Sequence, residues 1–287
     1  MDHDQAKENW SRAPNRTPGC ICVPWRYSPR HERPTNPDCE QHGNIPSRQV
    51  GGFLLPKIGD TLSLQIFNMD QGTPEWHAIR RGIITASVVG LLITPKTIKP
   101  AANDTARGLI ASLVAERITG YTEEMAVSRD MERGTLDEPY AREIYSEHVA
   151  PVTEVGFMIR DGWGFQIGYS PDGLVGDDGL IEIKSRKQKI QLKTILEDEV
   201  PLENMAQIQT GLLVSGREWL DYVSYCGGMP LYVKRVLPDE RWHTAITDAV
   251  AAFEESAAFM IGAYEVETAT MPATERIDHY LELELKL

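Results

Sequence analysis

The chain has 287 residues, 41% of them hydrophobic and 25% charged, with 29 basic against 42 acidic side chains and a net charge of −13. That is the make-up of a globular protein with core enough for one large domain and an appendage, or for two small domains. No run of about 18 apolar residues is present to span a membrane, Met1–Gln5 has no secretory pattern, so a cytoplasmic location is expected, and the acidic balance argues against indiscriminate binding to nucleic acid or anionic lipid while leaving room for a local basic site.

In chain order, residues 1–56 hold eight of the eighteen prolines and show neither a helical nor a strand period. Such a segment lacks the apolar surface to order itself. It does contain Cys20-Ile21-Cys22 and, after sixteen intervening residues, Cys39-Glu40-Gln41-His42. Three thiols and an imidazole suit a tetrahedral structural Zn²⁺, although C-x-C is tighter than the usual pair and His31 is an alternative ligand. The competing reading is an arm with reduced cysteines. Arg26, Arg30, Arg33 and Trp25 fall within the loop that a zinc site would close.

A globular domain is expected over 57–265. Helices are predicted over Thr85–Ile93 and Ala106–Ile118, the second ended by Gly120. A third should start near Thr135, where Thr135 and Glu138 have capping-box spacing, and bury Tyr140, Ile144 and Val149, with Pro139 in its first turn. Strands follow at Thr153–Arg160 and Gly164–Tyr169, then a hairpin of Leu174–Val175 and Leu180–Lys184 turning on Asp177-Asp178-Gly179. A helix from Pro201 to Ser215 stops at Gly216, and Trp219–Tyr225 with Leu231–Leu237 reads as a second hairpin. Asp239–Ala263 reads as an amphipathic helix burying Trp242, Ile246, Ala249, Val250, Phe253 and Ile261. In the tail, 266–287, Leu281, Leu283, Leu285 and Leu287 alternate as in a strand. The order implies an α/β fold, a mixed sheet flanked by helices.

The chemistry concentrates in Ser170-Pro171-Asp172-Gly173 and Ile181-Glu182-Ile183-Lys184. On a strand, Glu182 and Lys184 share one face, and the hairpin brings Asp172 beside them. Two converging carboxylates suit Mg²⁺ or Mn²⁺, and a nearby lysine can orient an attacking water. Glu-x-Lys alone says little, since Glu284-Leu285-Lys286 repeats it, and a salt bridge on an amphipathic strand is the bland alternative.

Four stretches in order, Glu75–Ser87, Gly134–Arg142, Ser170–Gly173 with Ile181–Lys184, and Met205–Gln209, resemble the lambda exonuclease-like (YqaJ) viral recombinase family over about residues 68–260. The resemblance implies a restriction-endonuclease-like core and a Mg²⁺-dependent 5′→3′ exonuclease, two ions per site, acting on double-stranded DNA ends. It implies Asp172 and Glu182 as metal carboxylates, the Ile183 carbonyl as a further ligand, Lys184 as the catalytic lysine, and Glu138 and Gln207 beside them. Arg80, Ser87 and Ser170 match a 5′-phosphate clamp, and Asp161 is offered for a further acid upstream. A single-strand annealing partner, a ring-shaped homotrimer and a phage origin follow from the same resemblance. An endonuclease on this fold and a non-catalytic DNA-end-binding recombination factor are the rival readings. Two basic sets, Lys184, Arg186, Lys187, Lys189 and Lys193, then Arg80, Arg81, Lys96, Lys99 and Arg107, either track the DNA backbone or form solvated faces. Cys226 reads as a half-buried strand residue.

Overall fold

The computed structural model describes residues 63–123 and 128–277. The expected zinc ligands Cys20, Cys22, Cys39 and His42 and the alternating tail lie outside them.

Two sheets carry the fold. The first runs in the order β1 (Ser63–Phe67), β6 (Phe157–Asp161), β7 (Gln166–Tyr169), β2 (Ile84–Thr85). The second runs β11 (Tyr232–Val236), β10 (Trp219–Tyr225), β9 (Gly179–Ser185), β8 (Gly173–Val175), β5 (Val152–Thr153). A two-residue ladder joins β3 (Ile93–Thr94) to β4 (Lys99–Pro100). Both sheets are mixed: β2 with β7 and β9 with β10 are parallel, the other pairs antiparallel. The chain leaves the first sheet at Tyr169 and enters the second at Gly173, so Ser170-Pro171-Asp172 bridges the two.

Around them lie α1 (Pro74–Arg80), α2 (Ala86–Val89), α3 (Asp104–Thr119), α4 (Arg129–His148), α5 (Gln188–Glu197), α6 (Met205–Ser215) and α7 (Glu240–Thr268). The main core joins α6 and α7 to both sheets through Ile208, Leu212, Ile246, Val250 and Phe253 packed with Ile167, Tyr169, Leu180 and Tyr222. A smaller cluster sets Ala141 and Tyr145 of α4 against Ile181, Ile183 and Val223. β9 is therefore covered on both faces, as a central strand should be. Gly211 is where α6 crosses β7: a Cβ there would lie 2.7 Å from the Tyr169 ring.

The predicted ends of α3 and α6 are borne out, Gly120 and Gly216 both taking the left-handed conformation at φ 67° and 71°. So is Trp219–Tyr225, and the predicted face of α7 is buried, Ile261 partly. Other expectations need correction. The stretch Thr85–Ile93 is a two-residue strand, one turn of α-helix and a 3₁₀ turn. Residues 202–204 form a 3₁₀ turn ahead of α6. The third helix begins six residues earlier than Thr135, because the Ser128 hydroxyl accepts from Met131 N–H and Asp130 and Glu132 complement the helix dipole. Pro139 thus sits inside α4, and the buried face shifts to Ala141 and Tyr145, leaving Tyr140 and Val149 exposed. α5 was not anticipated. Its buried positions are Gln191 and Thr194, so it has no apolar stripe to read.

Candidate active site

The bridge between the sheets forms one wall of a cleft of about 510 Å³. Its lining includes Trp76, Arg80, Ser87, Glu138, Tyr169, Ser170, Asp172, Glu182, Ile183, Lys184 and Gln207. Apart from Asp161, every nuclease-site residue inferred from the resemblance therefore meets in one place, supplied by α1, α2, α4, the bridge, β9 and α6.

On β9, Glu182 is 1% exposed and forms the salt bridge to Lys184 that the bland alternative expects, but buried and facing the cleft rather than on a solvated face. Three donors hold it: Lys184 Nζ at 2.6 Å and Gln207 Nε2 at 2.5 Å on Oε1, and the Tyr169 hydroxyl at 3.5 Å from Oε2. Lys184 Nζ also donates to Gln207 Oε1 at 3.0 Å. Gln207 thus bonds both members of the acid–lysine pair and is not an exposed helix glutamine. The neighbouring Gln209 points elsewhere and ties β11's exit to α7, donating to Leu237 O and accepting from Asp239 N–H.

Asp172 Oδ2 accepts the Ile183 N–H at 2.6 Å, which fixes the carboxylate against β9 beside Glu182. Burial, with Glu182 and Glu138 adding like charge, pushes the Asp172 carboxyl well above the usual carboxylate range, against Lys184 and the Ile183 N–H. Burial also raises Glu138, with Arg142 opposing and Glu182 adding to the rise. For Lys184, burial pulls the ammonium down, but Glu182 and Asp172 outweigh it and hold its pKa above the ordinary lysine value. Glu138 does not close a capping box: its carboxylate is bonded to the Arg142 guanidinium, whose Nε also donates to Asp172 O at 2.8 Å.

At the other end of the cleft, Arg80 donates to Ser170 Oγ at 3.2 Å and to Ser87 Oγ at 3.4 Å. Its guanidinium lies 3.9 Å from the Trp76 ring centroid, and Trp76 Nε1 donates to Ser170 Oγ at 3.1 Å. Burial lowers the Arg80 pKa to about 10, leaving it cationic at neutral pH. Because Ser170 accepts twice, its own hydrogen is available to a ligand oxygen. The α1–β2 turn carrying this group is pinned at Gly82, whose N–H goes to Glu116 and whose carbonyl accepts from Arg117, itself bridged to Glu254.

Asp161 does not join the site; it ends β6 at the far end of the hairpin from Ser170, paired with Gln166. The basic run is also not one surface. Lys184 faces the cleft, Arg186 is held by Tyr222 and Asn204, Lys187 pairs with Asp130 and Lys193 with Glu197. In the second set Arg80 alone lines the cleft, while Arg107 pairs with Asp104. Sequence reasoning gave no role to Trp76, Tyr169 or Arg142. Trp76 and Arg142 lie inside the family-like stretches, but their bonds cross between elements far apart in the chain or run to main-chain oxygen, and spacing does not show them.

A buried acid–lysine pair, a second carboxylate and a cationic Arg80 group sharing one cleft on a mixed α/β fold are the arrangement of a nuclease, a phosphodiester hydrolase. The chain belongs to the YqaJ-like viral recombinase domain family, whose model matches residues 75–218. It is similar to the alkaline exonuclease LHK-Exo of Laribacter hongkongensis, at 34% identity and a TM-score of 0.60, over 70% of this chain and 100% of that one. The same values hold for a structure of LHK-Exo in complex with dAMP. A phage-related exonuclease from Haemophilus somnus 129PT matches at 12% identity and a TM-score of 0.50, over 63% of this chain and 96% of that one, and speaks to the fold alone. No curated protein sequence gives a significant match. Among the described residues no helix is long and apolar enough to cross a membrane.

Proposed function

We propose that this chain is a Mg²⁺-dependent exonuclease that degrades one strand of duplex DNA from its 5′ ends, leaving 3′ single strands for recombination. The observation that carries the reading is the shared cleft: the acid–lysine centre and the Arg80–Ser87–Ser170 pocket open into the same 510 Å³ space. An enzyme cutting within a strand has no terminal phosphate to hold, whereas one that starts at an end does. The relative captured with dAMP, a deoxynucleoside monophosphate, supports a mononucleotide-sized product.

Among the described residues, no three His, Cys, Asp or Glu side chains form a ready-made metal cage. The donors present still fit Mg²⁺: the Asp172 and Glu182 carboxylates and the Ile183 carbonyl are hard oxygens, and Mg²⁺ keeps several waters rather than demanding an all-protein shell. When bound, it supplies Lewis-acid charge to the phosphoryl oxygens and a readily deprotonated water. The chain's own groups do the rest. An ammonium has three donors, and Lys184 uses two on Glu182 and Gln207, so the third is available to orient the attacking water or meet charge growing on the phosphate. Arg80 and the Ser170 hydroxyl hold the terminal phosphate by charge-assisted bonds and set the register of the strand. The homotrimeric ring and the annealing partner rest on the family resemblance. Release of labelled nucleotides from linear duplex in Mg²⁺, with closed circular DNA untouched, is the expected result. Cleavage of the circle would replace this reading by an endonuclease, and DNA binding without release from either would leave a non-catalytic end-binding factor.

A further inference from the structure

We propose that a second cavity, of about 590 Å³, holds backbone phosphates of the bound DNA beyond the cleft. This rests on the nuclease reading and adds a binding site to it. The cavity is lined by Arg133 of α4, Arg186 and Lys187 where the chain leaves β9, and Lys189 of α5, with Asp137 and Cys226 also in its wall. Four cations therefore face one space in a chain whose net charge is −13. The acids near them are already engaged. Asp137 accepts from Ser185 Oγ at 2.6 Å, and Asp130 is shared by Arg133 at 2.7 Å and Lys187 at 2.9 Å. Counting both acids, two positive charges remain unbalanced. Exposed pairs such as Lys187–Asp130 are weak and yield to a phosphate.

The cavity's position matches a continuing strand of nucleic acid. Ser185 lines the cleft and Arg186 and Lys187 line the second cavity, so a single seam of chain separates them. Lys187 keeps an extended backbone, φ −74° and ψ 150°. At about 3.3 Å per extended residue, Lys184 and Lys187 are roughly 10 Å apart. One DNA strand carries a phosphate about every 3.4 Å of axis, so a phosphate within about three steps of the one being cut reaches these side chains. The recognised chemistry is the phosphodiester, whether the strand is paired or single.

The test uses the full chain with Ca²⁺ in place of Mg²⁺ to block hydrolysis, and fluorescence anisotropy over a salt series. One arm takes a labelled duplex and the other a single strand of the same sequence. Lys187→Gln/Lys189→Gln alters two exposed side chains, and a thermal melt confirms its folding. Two lost phosphate contacts lower the slope of log K against log[salt] by about 1.8 on duplex or about 1.4 on single strands, and the arm that responds identifies the form of DNA in the cavity. Lys234→Gln, on β11, serves as the control for general charge loss. Wild-type binding with an unchanged slope in both arms overturns the cavity and leaves the nuclease reading standing. An equal fall in the control also overturns it, and a wild type that binds neither form of DNA removes both proposals.

Discussion

Asp172→Asn should stabilise the metal-free protein and abolish its response to Mg²⁺. In the folded state burial, Glu182 and Glu138 hold the Asp172 carboxyl above its unfolded value. A carboxyl raised by folding binds more protons when folded, so it costs stability as pH climbs above about 3.9 and the full cost is reached above the folded pKa. Asparagine removes that cost. Its side-chain oxygen can still accept the Ile183 N–H, now 2.6 Å from Asp172, and weakening that bond from charged to neutral loses about 1 kcal/mol. The net gain is therefore what burial and like-charge repulsion exceed that loss by, and it vanishes below about pH 4. Wild type in Mg²⁺ at a hundredfold over its Kd gains about 2.7 kcal/mol by mass action, which for a domain of this size is roughly 5–11 °C in Tm. Thermal melts in EDTA and in Mg²⁺, at neutral pH and at about pH 4, read all of this. An Asn variant that melts below wild type in EDTA, or that keeps the Mg²⁺ shift, would refute the assignment of Asp172 as an electrostatically loaded ligand.

Glu182→Ala and Lys184→Ala should each abolish nucleotide release while DNA binding in Ca²⁺ is largely kept, and Glu284→Ala, outside the described residues, should be nearly silent; loss of activity on Glu284→Ala alone would mean the wrong Glu-x-Lys. Arg80→Ala should erase a preference for 5′-phosphorylated over 5′-hydroxyl ends, a charge-assisted bond worth roughly 1.5–3 kcal/mol, or ten- to a hundredfold in rate; equal wild-type rates on both ends would remove the clamp. His243 has a buried Nε2 with no hydrogen-bond partner, and burial lowers its pKa against Glu240 and Asp239. A group lowered by folding loses its contribution as pH falls from about 6.5 towards the folded pKa, so wild-type Tm should drop over that window and His243→Leu should flatten the drop. An identical slope in the variant would show that other groups control the acid limb.

What the sequence revealed follows physical periodicity. The α7 face was legible because its apolar residues recur at helical spacing, and the Asp177–Gly179 turn because it separates two apolar runs. α5 was not, because its inward face is polar: Gln191 donates to the carbonyls of Ser224 and Pro230 and accepts from the Ser224 hydroxyl. The start of α4 differs from the expected one because Thr135 and Glu138 match the capping-box spacing, whereas Ser128, with Met131 three residues on, does not, although its hydroxyl is what caps the helix. The site residues were legible through the resemblance. Their mutual placement was not, since it depends on a chain crossing from one sheet to the other and on the parallel pairing of Glu182 with Tyr222, neither of which leaves a local mark.

The energetics of the cleft favour chemistry over stability as the reason for its residues. A carboxylate 1% exposed, in the middle of a strand between two cores, is an expensive choice where leucine or methionine would pack. Here its oxygens accept from a lysine, a glutamine and a tyrosine drawn from β9, α6 and β7. A network satisfied on every side holds one geometry, because moving any member strands a buried polar atom. Arg142 extends that constraint by gripping the Glu138 carboxylate and the Asp172 carbonyl at once, so α4 and the bridge keep fixed positions relative to each other. Burial and the like charge of Glu182 and Glu138 raise the Asp172 carboxyl, so added positive charge there would be stabilising. A fold that concentrates buried like charge at one point, while capping and packing its other elements conventionally, keeps that point for chemistry, and the proposed Mg²⁺ would relieve the charge there.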